Sequence, residues 1–253
     1  MNEKNFEYLT DQLKFTGFDK DLNRQLKENM AQGSEEFRLE HTTAYGQDQL
    51  SFSLHFKKSA QGVLYFFNSY TASLKKHNQP PERKQTFYVH KQASTITQKE
   101  AFNLLDGRAV NKDMLISKEG KKFTAWIQLD FKETAVNGNF KFKHFSQGYG
   151  FDLEKSLEKF PIRELSDKDE KTRLIESLQK GNLQLVTLAG GSGDQKVFVQ
   201  ANPQFKSVTA FDQNQHRLTL DWPKQTENQT QQQSSGADDL SEAPQKSRAQ
   251  RRL

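Results

Sequence analysis

The amino-acid sequence predicts an α+β protein: N-terminal helices packed on an antiparallel meander sheet, then a small helix–hairpin module, then a disordered C-terminal tail. Three changes of pattern carry that prediction. Apolar residues recur every third or fourth position up to Gly33, mostly every second position from Phe37 to Phe142, and lose all period after Pro223. The expected organisation is an α+β domain over 1–147, a smaller αα-ββ module over 148–222 and a polar tail over 223–253.

Phe6, Leu9 and Leu13 form one stripe of a first amphipathic helix that Gly17 closes. Leu22, Leu26 and Met30 form the stripe of a second, over Asp19 to Gln32, with Gly33 at its C-terminal stop. The period then falls to two. A strand over Phe37 to Thr43 turns at Tyr45-Gly46-Gln47-Asp48 into a second, where Leu50, Phe52, Leu54 and Phe56 alternate with Ser51, Ser53 and His55. Val63 to Tyr70 reads as a central strand, and Gln79-Pro80-Pro81-Glu82 as a break before a fourth strand over Thr86 to His90. Thr97 and Glu100 stand at capping-box spacing ahead of a helix that carries Ala101, Phe102, Leu104 and Leu105 and stops at Gly107. Two more strands are expected in the same sheet: Phe123 to Phe131, with Trp126 among its wet-face residues, and Phe140 to Lys143 beyond the Asn137-Gly138-Asn139 turn.

The smaller module opens near Gly148 with short helices over Asp152 to Lys159 and from Ser166, with Asp169, to Gly181. A hairpin follows, its turn at Gly190-Gly191-Ser192-Gly193-Asp194, then a strand over Phe205 to Phe211 and a last one carrying Leu218, Leu220 and Trp222. The expected core includes Phe6, Leu9, Leu26, Phe52, Phe67, Leu105, Ile127, Leu178, Val197 and Phe205. From Pro223 the Gln, Ser, Asn and charged residues have the composition of a disordered segment.

Several chemistries are excluded or unsupported. With no cysteine among 253 residues, disulfides, thiolate nucleophiles and Cys-based metal sites are absent. The six histidines show no metal-ligand spacing, Gly190 to Gly193 lacks the Lys-Ser/Thr of a phosphate loop, and no Gly-x-Ser-x-Gly elbow occurs. Gly148-Tyr149-Gly150-Phe151 matches the middle of an aromatic RNA-binding strand signature, but Gln147, Asp152 and Glu154 break its flanks. A Gly-rich joint is the preferred reading. No cofactor is expected. No apolar run approaches the roughly 20 residues of a membrane span, and Glu3, Glu7 and Asp11 are unlike a signal peptide, so a cytoplasmic protein without membrane association is expected.

Charge is uneven along the chain. Its formal net value is +5, whereas residues 71–125 alone hold eleven Lys/Arg against five Asp/Glu. Solvated loop lysines account for this most simply; as a nucleic-acid footprint the candidates are Lys75, Lys76, Arg83, Lys84, Lys121 and Lys122. Lys246, Arg248, Arg251 and Arg252 add a second basic cluster at the end of the tail.

The segments NFEYLTDQLKFTGF, YFFNSYTASL, EAFNLLDGRAVNK, AWIQLDF, YGFDL, LQKGNLQLVTL and ANPQFKSVTAFD resemble a family of uncharacterised Bacteroidetes proteins found near conjugative transposons and other mobile elements. The resemblance spans about residues 1–220. Its final block, Gly181 to Asp212, is similar to a module that also ends larger mobile-element proteins, some with topoisomerase-like or relaxase-associated parts. What the resemblance implies is a mobile-element setting and no catalytic residues. The expectation is therefore a non-enzymatic binding or adaptor protein with a protein or nucleic-acid partner. A weak, non-specific nucleic-acid-binding accessory protein and an enzyme of unrecognised type are the alternatives.

Overall fold

The computed structural model describes residues 1–18, 22–60, 62–77, 79–89, 94–117, 119–190 and 193–219, all within one compact unit, Met1–Trp222. Helix α1 (Glu3–Phe15) starts on Asn2, whose side chain accepts the Asn5 N–H at 3.1 Å, and α2 (Leu22–Gln32) follows. Their stripes bury Leu9, Leu13, Leu22, Leu26 and Met30, while Phe6 at the stripe's edge is only half-buried. Asn5 is a polar residue within the stripe. Its amide donates to the Tyr65 carbonyl at 3.0 Å and accepts the Tyr65 N–H at 2.7 Å, which fastens α1 to the sheet as a strand would.

Strands β1 (Glu36–Tyr45), β2 (Asp48–Lys58), β3 (Tyr65–Lys76) and β4 (Gln79–Tyr88) form a four-stranded antiparallel meander in chain order. Its inner face is strongly aromatic. Phe56 stacks between Phe37 at 5.0 Å and Phe67 at 4.9 Å, and Phe18 meets Phe52 edge-on at 5.1 Å, the arrangements the ring quadrupole favours. Two boundaries differ from expectation. β3 begins at Tyr65, leaving Val63 exposed, and β4 runs through Pro80 and Pro81, because an edge strand tolerates a missing N–H.

Helix α3 (Gln98–Leu105) starts on the expected capping box: Thr97 donates its N–H to Glu100 Oε2 at 2.8 Å, and Glu100 donates its N–H to Thr97 Oγ1. The same carboxylate takes Lys112 Nζ at 3.1 Å on each oxygen, a buried ion pair beneath the helix start.

The later strands form a sheet of their own, which corrects the expectation of one five- or six-stranded sheet. β5 (Val110–Ile116), β6 (Lys122–Thr134) and β7 (Phe140–Ser146) pair antiparallel in the order β5-β6-β7. β5 escaped the sequence reading because its register shifts between Lys112 and Leu115, with Met114 at φ 51°, so its apolar residues do not alternate. Gln85 couples the sheets: it accepts the Phe140 N–H at 2.8 Å and donates to the Phe140 carbonyl at 3.3 Å.

Trp126 is buried, against expectation, because β6 is covered on both faces. Ile127 and Leu129 join the first core, whereas Trp126, with Ala109 and Phe145, joins a second built from Leu153, Leu157, Leu174, Leu178, Val186, Val197 and Val199. Residues Gln147–Tyr149 make a single 3₁₀ turn and not a base-stacking strand. α4 (Leu153–Leu157) and α5 (Lys168–Gln179) are capped by Asp152 and Asp167; the latter accepts the Asp169 and Glu170 N–H groups, so α5 starts on Asp167 and not on Ser166, with Asp169 in its first turn. β8 (Gln184–Leu188) and β9 (Gln195–Asn202) form the expected hairpin, and β10 (Ser207–Phe211) and β11 (Arg217–Leu218) complete a sheet of order β11-β10-β9-β8. Phe205 sits in a 3₁₀ turn and is exposed, not core. Leu220, Trp222 and the tail lie outside the described residues, as do His90, Asp19 and the Gly191-Ser192 turn tip. No helix among the described residues is long and apolar enough to cross a membrane.

Candidate binding cleft between the two cores

Lys99, Phe102, Asn103 and Asp106 stand at i, i+3, i+4 and i+7 on α3 and therefore share one face. The β1–β2 turn brings Tyr45 and Asp48 against that face, the end of β3 brings Lys76, and the α5–β8 joint brings Asn182 and Gln184. Together with Arg108 these residues line a cleft of about 520 Å³. The segments 100–112 and 178–188 meet here. Gly181 lets them close: a Cβ on it would stand 2.8 Å from the Ala109 carbonyl oxygen.

The floor is a set of committed charges. Asp106 pairs with Lys76 at 2.5 Å and with Arg108 at 2.5 Å, and Arg108 Nη2 donates to Asn103 Oδ1 at 2.7 Å. Asn103 is fully buried and donates onward to the Lys180 carbonyl at 2.6 Å and to Asn182 Oδ1 at 2.9 Å. Arg108 Nε is buried with no partner among the described residues. Burial holds the Arg108 pKa down while Asp106 and Asp48 oppose it; a guanidinium stays charged regardless.

The wall is different. Tyr45 and Phe102 stack at 4.2 Å, and Lys99 Nζ lies 4.1 Å and 4.8 Å from their ring centroids. No carboxylate pairs with Lys99 among the described residues. Desolvation over the rings and then repulsion from Arg108 lower its pKa, partly offset by Asp106, while burial raises that of Tyr45. Three cations thus face two carboxylates, leaving one positive charge in excess in a concave, partly dry site.

The sequence-predicted cations are divided among separate places. Lys76 belongs to this cleft, and Arg83 faces the same covered side of the sheet, donating to the Leu105 carbonyl at 2.8 Å with its guanidinium 4.2 Å from the Phe131 ring centroid. Lys75 and Lys84 alternate with them and face the open side. There Lys84 and Arg38 flank a hydroxyl-lined trough of about 460 Å³ over Ser51, Ser53, Ser69, Thr71, Ser73 and Thr86. Lys121 and Lys122 sit on the β5–β6 hairpin of the other sheet. Lys99, Asn103, Asp106 and Arg108 were missed by the sequence reading; the helix-face spacing of the first three, polar among apolar neighbours, was the available signal, whereas Arg108 lies beyond the Gly107 stop and offered none.

Among the described residues no three His, Asp or Glu side chains gather as metal ligands. No protein-family model, no curated protein and no solved structure matches the chain.

Proposed function

We propose that the protein is a non-enzymatic binding protein whose ligand presents an anionic group to the cleft between the two cores. The observation that carries this reading is Lys99: an ammonium held over two aromatic rings with no carboxylate partner among the described residues, above a floor where the other cations are already paired. Such a cation binds an incoming anion with little competition and gains back the solvation it lacks. Asn182 and Gln184, whose amides donate to Ser177 Oγ and the Leu183 carbonyl, line the same cleft. The mobile-element setting and a cytoplasmic location, both taken from the sequence, belong to the same proposal.

Sulfate is a suitable probe because it does not titrate near neutral pH. If its dissociation constant is on the order of 1 mM, sulfate at about 10 mM stabilises the fold by about 1.4 kcal/mol. That raises the unfolding temperature by roughly 3–5 °C over chloride of equal ionic strength. Lys99→Gln removes the rise while leaving the sulfate-free unfolding temperature in place. An equal rise in wild type and variant overturns the reading.

The second reading, weak nucleic-acid contact, is favoured by Lys75 and Lys84 sharing the open face of the first sheet. It predicts binding that survives Lys99→Gln and is lost in Lys75→Glu/Lys84→Glu.

A further inference from the structure

We infer that the outer face of the β8–β11 sheet is a docking surface for an acidic peptide segment with aromatic or aliphatic anchors. Strand register sets Leu185 opposite Phe198, Phe198 opposite Phe211, and Phe211 opposite Arg217, one continuous row across four strands. The alternate residues Val186, Val197, Val199 and Ala210 are the buried ones, so this row points away from the core. Leu185 is 47% exposed, and Phe198 and Phe211 are half-buried. An open antiparallel face ordinarily carries polar residues. The other open face of this molecule obeys that rule, where a comparable row reads Arg38, His55, Ser69 and Tyr88. An apolar row on three adjacent strands is instead what a partner's anchor side chains pack upon.

Charge selects the partner. Arg217 ends the row, and Lys196 stands two residues before Phe198 on the same face; both are exposed, and neither has an ion-pair partner among the described residues. The remaining residues on that side, Thr187, Gln200, Asn202, Ser207 and the buried Thr209, are uncharged. Nearby carboxylates are committed elsewhere. Both Glu164 oxygens accept the Thr187 N–H at 3.0 Å, Asp194 pairs with Arg163 at 2.7 Å, and Asp212 caps its own turn and lies 3.3 Å from His216 Nδ1. The open edge of β8 is closed by Glu164 and by the Ile162–Leu188 bridge. The peptide therefore does not add a strand at β8 and is inferred to lie across the face.

The test is selection of a displayed library of random peptides, each about a dozen residues long, against the full chain. Enriched peptides should combine Phe, Trp, Tyr or Leu with Asp or Glu. Affinity for the best of them should fall at least about tenfold in Leu185→Lys and in Arg217→Glu, a loss of roughly 1.4 kcal/mol. Lys99→Gln, in the separate cleft, should change nothing, so failure here is distinguishable from failure of the anion site. Both substituted side chains are exposed, and an unchanged unfolding temperature verifies that each variant folds. Failure to enrich any peptide overturns the inference, as do enriched peptides without acidic residues or binding indifferent to both substitutions. Self-association of the full chain that Leu185→Lys dissolves also overturns it, by making the occupant a second copy.

Discussion

Two glycines with nearly the same backbone angle show how the surroundings set the effect of one residue. Gly33 has φ +76° with nothing within 4 Å of a built Cβ; Gly181 has φ +78° with the Ala109 carbonyl oxygen at 2.8 Å, Val110 Cγ2 at 3.0 Å and Asn103 Cβ at 3.1 Å. Gly33→Ala should therefore cost about 1 kcal/mol, the left-handed backbone penalty alone. Gly181→Ala should cost about 3 kcal/mol or more, because backbone that cannot yield is also forced apart. Urea unfolding of the two variants measures the difference. Lysine makes the same point. Lys112→Met strips a buried carboxylate of its partner and should destabilise by roughly 3 kcal/mol. Lys99→Met, at an open cleft wall, should stay within about 0.5 kcal/mol of wild type.

At the scale of elements, α3 joins a helix cap to an ion pair through one carboxylate. Glu100 accepts the Thr97 N–H and also holds Lys112, so the capping box keeps the carboxylate aimed and the lysine anchors it from below. Thr97→Ala should cost about 1 kcal/mol as a lost cap. Because both interactions pass through Glu100, the double variant Thr97→Ala/Lys112→Met should cost measurably less than the two single losses added, and a double-mutant cycle reads that coupling directly. Strict additivity would mean that cap and ion pair are independent. The capping box was legible from Thr97 and Glu100 at their spacing, whereas its partner on β5 was not, because Lys112 occupies a strand whose bulge hides its period.

For the whole molecule, the pH dependence of anion binding follows from Lys99. Its free-state pKa lies below the ordinary 10.5, and a bound anion stabilises the ammonium form. Sulfate affinity should be complete at neutral pH and lost as pH rises through that lowered pKa, earlier than for an ordinary lysine. Titration of sulfate binding across alkaline pH checks it, and a midpoint at or above the ordinary lysine value refutes it. Nucleic-acid binding scales with cations that remain free. With Lys76 and Arg83 engaged at the covered side of the sheet, four predicted cations remain, so the slope of log affinity against log salt for duplex should not exceed about −3.6 in magnitude. A steeper slope that persists when residues 223–253 are removed would require basic residues beyond these.

What the sequence by itself determined is the identity of the elements whose residues face either core or water. Leu22, Leu26 and Met30 on α2, and Leu50 through Phe56 on β2, announce helix and strand because burial on one side imposes a period on the chain. Only the tertiary structure decided the rest. Trp126 could not be assigned from alternation, since it stands among Thr124, Gln128 and Asp130 on the polar face of β6 and is buried only because the second core reaches that face. Asn5, Gln85 and Asn103 looked like ordinary polar positions, yet each is buried and bonds to backbone or side chains distant in sequence. The cleft is another product of that distance. Lys99 and Arg108 acquire their chemistry from Tyr45, Lys76 and Asn182, which no local period relates to them, and pairing through space leaves no spacing to read.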